Sequence, residues 1–136
     1  MDYKKIITKE GLLPIENWNT FEFLHVNPNS STDKMKNKNE LKEKVSDSGG
    51  LYIYKQGRDI LYIGKAKSLL DRLFSHYRES FEAVSGDTKT NKWHRFFSKY
   101  NGKVKIFWYK VEKEPDRKIF EIMLQEIYRT KFDDFR

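Results

Sequence analysis

The chain has 136 residues, of which 35% are charged and 15% aromatic, and its formal net charge is +7 at pH 7. This length suits one compact domain and is too short for two independent cores. The absence of cysteine excludes disulfides, thiolate nucleophiles and cysteine-ligated zinc. No stretch of about 18 uncharged apolar residues and no apolar N-terminal segment occurs, so we expect an intracellular, cytoplasmic protein without a membrane span.

The positive charge is concentrated in one part of the chain. Basic and acidic residues balance in 1–48 and again in 106–136, so the whole basic excess lies in 49–105. A localised excess of this kind indicates a polyanionic partner, nucleic acid before an acidic membrane. On charge alone, a lysine-rich solvated surface explains it equally well. A membrane-surface protein is the weakest interpretation, because the sequence has no basic amphipathic helix with an aromatic face.

The N-terminal part of the chain predicts a strand and a helix. "TFEFLHV" at 20–26 alternates as a strand does and ends at the turn cluster "NPNSS". "DKMKNKNELKEKV" at 33–45 carries a weak apolar stripe, which predicts a mostly solvated helix. We interpret 1–48 as an extension, able to contact substrate or a second copy of the chain, ahead of a functional unit at 49–136.

A doubled tyrosine strand follows, "GLYIY" at 50–54 and "LYIG" at 61–64. If "QGR" at 56–58 is a three-residue hairpin loop with Gly57 at positive φ, Tyr52 lies directly opposite Tyr62. Period-2 alternation then predicts an aliphatic face and a tyrosine face. The aliphatic face would hold Leu51, Ile53, Leu61 and Ile63, and the opposite face Tyr52, Tyr54, Ile60 and Tyr62.

The next segment predicts a basic helix with one functional edge. Ser68 followed by Asp71 forms a capping-box pattern, and an apolar stripe continues to residue 77. Ser68, Arg72 and His76 recur every fourth residue, so they line one edge and can meet a common ligand. Gly64 leads into this helix and allows close backbone approach.

The rest of the chain predicts helix, strand and helix. "KTNKWHRFFSKY" at 89–100 predicts a helix with Trp93 buried, and "KVKIFWYKV" at 103–111 predicts a third strand. A last helix begins near Pro115 and runs to about residue 130. On its helical wheel Glu121 lies away from the apolar centre, facing solvent or a ligand.

Together these residues form a signature. "GLY" at 50–52, "YIG" at 62–64, Arg72 and His76 on the next helix, and a carboxylate on a late helix resemble the GIY-YIG nuclease family over about 49–133. The run "YIGKAKSLLDRL" is similar to the nuclease domain of the bacterial excision-repair incision protein. Arg72 followed by His76 resembles homing endonucleases and some restriction enzymes.

The resemblance implies a small α/β (α+β) fold, with a three-stranded, mainly antiparallel sheet flanked by helices and an N-terminal extension. It implies a Mg²⁺-dependent (or Mn²⁺-dependent) DNA endonuclease, for which a homodimer is one possible arrangement. It further implies that Glu121 holds the metal, with Glu126 as the alternative ligand. The implied catalytic residues are Tyr52, Tyr62, Arg72, His76 and Glu121, and the implied substrate-binding residues are Lys65, Lys67 and Asp133.

Two interpretations of activity follow from the resemblance. The chain ends soon after the motif, which favours a standalone restriction-like or phage-type nuclease over a repair subunit. The family has an asparagine where this chain has Asp133, and a carboxylate cannot donate the hydrogen bonds of an amide. The alternative is therefore a nucleic-acid-binding module that keeps the fold and has impaired catalysis.

Overall fold

The computed structural model describes residues 2–25, 31–81, 93, 95, 99–100 and 102–128. In chain order the elements are α1 (Tyr3–Lys9), a 3-10 turn (Ile15–Asn17), β1 (Asn19–His25), α2 (Ser31–Lys44), β2 (Gly50–Gln56), β3 (Asp59–Ala66), α3 (Leu69–Phe81), β4 (Gly102–Lys110) and α4 (Glu114–Ile127). The predicted fold class, an antiparallel sheet flanked by helices, is confirmed. Most of the helix predicted at 89–100 falls outside the described residues, although residues 93, 95 and 99 are helical.

The sheet has four strands in the order β1-β4-β2-β3, and every neighbouring pair is antiparallel. Three strands were expected. The fourth is β1 from the N-terminal extension, which pairs with β4 along its whole length, from Asn19 opposite Trp108 to His25 opposite Gly102. Because β1 satisfies one edge of β4 and lays Phe21 and Phe23 on the core, the extension is part of the sheet itself.

The hairpin between β2 and β3 differs from the predicted one in its turn and in its register. Gln56 pairs with Asp59, so the connection has two residues, and Gly57 takes the predicted positive φ of 60°. Tyr52 lies opposite Gly64, and Tyr54 lies opposite Tyr62. The prediction that Tyr52 faces Tyr62 across the hairpin is therefore wrong.

The two-residue turn and a bulge in β3 cause the difference in register together, each shifting the pairing by one residue. The pairing shifts between Tyr54 and Lys55, so that Leu61 and Tyr62 together oppose Tyr54. In such a bulge two consecutive side chains project to the same side. The two-residue turn has already placed Ile60 opposite Lys55, so Ile60 packs on the aliphatic face and Leu61 on the tyrosine face, the reverse of their predicted positions. The bulge then returns Tyr62 and Ile63 to the faces predicted for them.

Helices cover both faces of the sheet. α2 and α3 pack together on the tyrosine face, whereas α1 and α4 pack together on the aliphatic face. The buried side chains of the aliphatic face include Ile7, Trp18, Leu51, Ile53, Ile63 and Leu124. The sheet therefore separates two apolar clusters, and the tyrosines belong to the one beneath α3.

α2 is mostly solvated, as predicted, and is attached to the core near its C-terminal end. Leu41 and Val45 at its C-terminal end are buried in the tyrosine-face cluster. Asn37 Nδ2 donates a hydrogen bond of 2.7 Å to the hydroxyl of Tyr77 on α3. Within the described part of the chain, no helix has the length and apolarity needed to cross a membrane.

Candidate active site

Gly64 lets the Tyr52 ring lie close against β3. A Cβ atom on Gly64 would be 2.5 Å from Cζ, 2.6 Å from Oη and 2.8 Å from Cε1 of Tyr52, closer than such atoms can approach. The close approach predicted at this glycine is thus made by the tyrosine of the neighbouring strand. This contact holds the Tyr52 hydroxyl in a fixed place beneath α3.

The hydroxyl of Tyr52 is hydrogen-bonded to Nε2 of His76, at 2.8 Å. Both side chains are buried, Tyr52 with 1% and His76 with 5% of its surface exposed. His76 Nδ1 has no hydrogen-bond partner among the described residues. Trp93 stacks on the imidazole with ring centroids 3.6 Å apart and also meets the Tyr62 ring edge-on at 5.0 Å.

Burial sets the protonation states of this group. It raises the pKa of Tyr52 well above 10.0, and the neighbouring Tyr62 acts in the same direction. Burial also raises the pKa of Tyr62. The pKa of His76 is lowered well below 6.5 by burial and, to a smaller extent, by the charge of Arg72. At neutral pH both phenols therefore keep their protons, and the imidazole is neutral and can accept one.

Arg72 is the cation common to these side chains. Its side chain is exposed on α3. Its positive charge lowers the pKa of Tyr52, Tyr62 and Glu121 against the larger effect of their burial. Because charge effects of this kind fall off with distance, four groups from β2, β3, α3 and α4 share one small region around the guanidinium.

Glu121 approaches that region from α4, on the other side of the β3 edge. Burial raises its pKa above 4.5, whereas the charge of Lys65, a hydrogen bond from the Lys65 backbone and the charge of Arg72 act to lower it. One turn further along, Gln125 Nε2 donates to the Ile63 carbonyl at 3.3 Å, which keeps this face of α4 against β3. Glu126, the alternative ligand, is exposed.

A cleft of about 860 Å³ opens beside these groups. Ser68, Arg72 and His76, which were predicted to share one edge of α3, all line it. The Ser68 hydroxyl accepts a hydrogen bond from the Asp71 backbone N–H at 3.3 Å, the serine half of the predicted capping box. The described lining residues are Asp47, Tyr62, Lys67, Ser68, Asp71, Arg72, Ser75, His76, Glu79 and Trp93.

The predicted residues thus occupy different depths of the site. Tyr62, Lys67 and Arg72 reach the cleft directly. Tyr52 is buried behind Tyr62 and is not among the described lining residues of the cleft. Lys65 is exposed near Glu121. Asp133 falls outside the described residues.

Two other parts of the cleft wall, Trp93 and Asp47, were not predicted as site residues. Trp93 was expected to be an ordinary core residue, and it is buried, but it also covers His76 and Tyr62. Its position in a segment that mixes aromatic and basic residues was the sequence feature that could have indicated a role in the site. Asp47 accepts a hydrogen bond from the Ser68 hydroxyl and comes from a loop with no recognisable pattern.

The acidic groups of the described residues do not form a multidentate metal centre. Within this part of the chain, no three His, Asp or Glu side chains are placed to hold one ion together. Any cation bound beside Glu121 would therefore take most of its ligands from water and substrate. Mg²⁺ accepts such a site, because it keeps several waters and often uses only one or two carboxylates.

Comparison with known structures gives a consistent result. The fold is similar to the GIY-YIG N-terminal endonuclease domain of UvrC from Thermotoga maritima bound to magnesium, with 27% identity, a TM-score of 0.51, and coverage of 69% of this chain and 96% of that one. A tyrosine-to-phenylalanine mutant of the same domain, bound to its catalytic divalent cation, gives 26% identity and a TM-score of 0.52 over the same shares. These comparisons confirm the resemblance to the GIY-YIG nuclease family.

Curated sequences agree over a shorter range. The UvrABC system protein C of Fervidobacterium nodosum is 47% identical over 47 residues, which are 35% of this chain and 8% of that protein. The corresponding protein of Thermosipho africanus is 54% identical over 33 residues, 24% of this chain and 6% of that protein. The similarity therefore concerns a small part of these much longer relatives. No family model matches the sequence.

Proposed function

We propose that this chain is a divalent-metal-dependent endonuclease that hydrolyses phosphodiester bonds in DNA. The observation that carries the proposal is that Tyr62, Arg72 and His76 line one open cleft. Glu121 lies near enough for the charge of Arg72 to act on its pKa. The similar UvrC domain supports the proposal, since it is an endonuclease domain bound to a catalytic divalent cation.

Glu121 is the proposed metal ligand. Burial raises the pKa of its carboxylate, so its negative charge is only partly stabilised by the protein and a bound cation would stabilise it further. Mg²⁺ or Mn²⁺ at this position would supply positive charge to the oxygens of the scissile phosphate. Glu126 is a weaker candidate, because it is exposed and α4 is held against β3 through Gln125 on the face that carries Glu121.

Arg72 is the proposed phosphate clamp. A guanidinium donates two parallel hydrogen bonds to phosphate oxygens, and its charge opposes the negative charge that builds up in the transition state. Lys67 lines the same cleft and Lys65 lies at its Glu121 side, so both are placed to hold phosphates next to the cleaved one.

Tyr62, Tyr52 and His76 are proposed to form a path for the proton of the attacking water. Tyr62 lines the cleft, the Tyr52 hydroxyl lies behind it, and His76 Nε2 is 2.8 Å from that hydroxyl. Tyrosine with a raised pKa is a poor base by itself at neutral pH. We assign the proton-accepting role to His76, because its Nε2 faces the Tyr52 hydroxyl, and the positioning of the water to Tyr62. Since burial lowers the pKa of His76, its protonated form is transient and the proton passes on to the cleft that His76 lines.

The finer proposal is a restriction-like or phage-type nuclease that acts without other proteins, as a homodimer if it cuts both strands. The Arg72–His76 pair favours this type. The alternative is a DNA-binding module with impaired catalysis. It is suggested by Asp133, which stands where the GIY-YIG family has an asparagine.

Incubation of supercoiled plasmid with the purified protein and Mg²⁺ tests both. We expect nicking or linearisation by the wild type and by Glu126→Gln, and none by Glu121→Gln or in EDTA. Cutting by Glu121→Gln at the wild-type rate would exclude Glu121 as the ligand. DNA binding without cutting in any sample would favour the binding module.

A further inference from the structure

A second depression runs along the other side of α3, between this helix and α2. Its volume is about 500 Å³, and its described lining residues are Lys38, Asp71, Phe74, Ser75 and Arg78. Lys38 comes from α2 and is exposed, as is Arg78 on α3. We call this depression the α2–α3 groove.

The groove continues the cleft of the candidate active site. Asp71 and Ser75 line both, so they form a shared rim over which a ligand can pass from one to the other. Asp71 is the one carboxylate among the described groove residues, and it lies in the first turn of α3, where the helix dipole favours negative charge. Lys38 and Arg78 leave the groove with a net positive charge.

Specific contacts hold α2 and α3 in place on the two sides of the groove. The hydrogen bond from Asn37 to the Tyr77 hydroxyl fixes α2 against α3 one residue away from Lys38. Leu41, one turn beyond, is buried with 1% of its surface exposed. The lysine is therefore presented at a defined place beside α3.

The groove lies within reach of a strand that is held at Arg72. Arg72 and Arg78 are six residues apart on α3, which corresponds to about 9 Å along the helix axis at 1.5 Å per residue. They project from different sides of α3, and the rim formed by Asp71 and Ser75 lies between them. A strand with one phosphate at Arg72 that crosses this rim would bring a neighbouring part of its backbone to the groove.

We propose that the α2–α3 groove binds the DNA backbone next to the stretch that holds the scissile phosphate, with Lys38 and Arg78 contacting the phosphates. This inference rests on the function proposed above and specifies how the same site holds its substrate. It gives the N-terminal extension a role in substrate binding, since Lys38 belongs to it.

The test measures DNA binding separately from cleavage. Fluorescence anisotropy with a short labelled duplex in EDTA gives Kd at salt concentrations between about 50 and 200 mM, the range in which phosphate contacts are most evident. Lys38→Ala is compared with Lys36→Ala, which removes the same charge from an exposed residue on the opposite side of α2. Urea unfolding verifies that both variants are folded.

Loss of one phosphate contact lowers the slope of log K against log salt by about 0.9, which corresponds to about 8-fold weaker binding at 0.1 M salt. We expect this change for Lys38→Ala and for Arg78→Gln, and a change below about 2-fold for Lys36→Ala, which makes no phosphate contact. Equal affinities and slopes for Lys38→Ala and Lys36→Ala would overturn the inference.

The plasmid assay distinguishes the two levels of proposal. A wild type that cuts plasmid, with Lys38→Ala binding as tightly as Lys36→Ala, contradicts only the groove. Selective weakening by Lys38→Ala without any plasmid cutting supports the groove as a DNA contact and contradicts the nuclease. A wild type that does not bind DNA in a salt-dependent way contradicts both.

Discussion

Replacing Gly64 by alanine tests the packing that places the candidate site. The added methyl group would lie 2.5 to 2.8 Å from three atoms of the Tyr52 ring. The ring is buried between the sheet and α3, so it has no free space into which to move. We therefore expect Gly64→Ala to displace Tyr52 and to separate its hydroxyl from His76.

The expected cost has two components. Overpacking of a buried side chain costs about 1–3 kcal/mol. Losing the hydrogen bond of 2.8 Å between Tyr52 and His76 leaves buried polar atoms unsatisfied, at about 1–3 kcal/mol. Because displacement of the ring relieves part of the overlap, the two do not add fully, and we expect the free energy of unfolding to fall by about 2–4 kcal/mol.

Urea unfolding of a double-mutant cycle measures the coupling. Gly64→Ala is combined with Tyr52→Leu, whose side chain lacks the three clashing atoms, and in that background we expect the alanine to cost less than about 1 kcal/mol. Gly57→Ala is the control. It has open space around its Cβ position but a φ of 60°, so its cost of about 1–2 kcal/mol should be the same with Tyr52 or Leu at residue 52.

Two results would refute this reasoning. A loss below about 0.5 kcal/mol for Gly64→Ala alone would mean that the ring does not lie against the glycine. An equal loss in both backgrounds would mean that the cost comes from the β3 backbone and not from Tyr52.

Two further predictions concern buried polar side chains. The pKa of His76 lies below 6.5 in the folded protein, so as the pH falls the unfolded chain takes up a proton at this residue before the folded protein does. The free energy of unfolding should therefore decrease as the pH is lowered from about 7 to about 5. The decrease should exceed that of His76→Gln by up to about 1.4 kcal/mol per pH unit. Parallel pH profiles in urea melts would contradict a buried neutral imidazole. Arg117→Met should lower the free energy of unfolding by about 2 kcal/mol, because Nη1 of Arg117 donates to the carbonyls of Val111 at 3.0 Å and Glu112 at 2.7 Å. Thermal unfolding against the exposed control Lys118→Met measures this, and equal losses would show that these hydrogen bonds contribute nothing specific.

Local patterns were sufficient to predict most of the secondary structure. The alternation in 50–64 predicted β2 and β3, the apolar stripe after Ser68 predicted α3, and the pattern beginning near Pro115 predicted α4. Each prediction depends on a repeat of apolar residues that can be recognised within a few helical turns or a few strand residues. The edge of α3 formed by Ser68, Arg72 and His76 was predictable for the same reason, because residues four apart share a helix face whatever packs against it.

Pairing between distant segments could not be predicted in the same way. β1 carries a clear strand pattern, but its partner β4 lies some 80 residues further along, and no local signal connects them. The two-residue turn and the bulge at Leu61 could not be predicted either, because neither leaves a local signal in the sequence. Each shifts the pairing by one residue, and together they move Tyr52 from opposite Tyr62 to opposite Gly64.

By itself, the sequence determined which chemical groups this protein has available, a pair of tyrosines, an arginine with a histidine one turn later, and a glutamate on a late helix. Only the tertiary structure decided their state and depth. The pKa of His76 is lowered because α3 presses it onto Tyr52 beneath Trp93, and Glu121 joins the group because α4 packs across the edge of β3. Burial and electrostatic environment are properties of the surrounding side chains, and these come together only when segments far apart in the chain pack against one another.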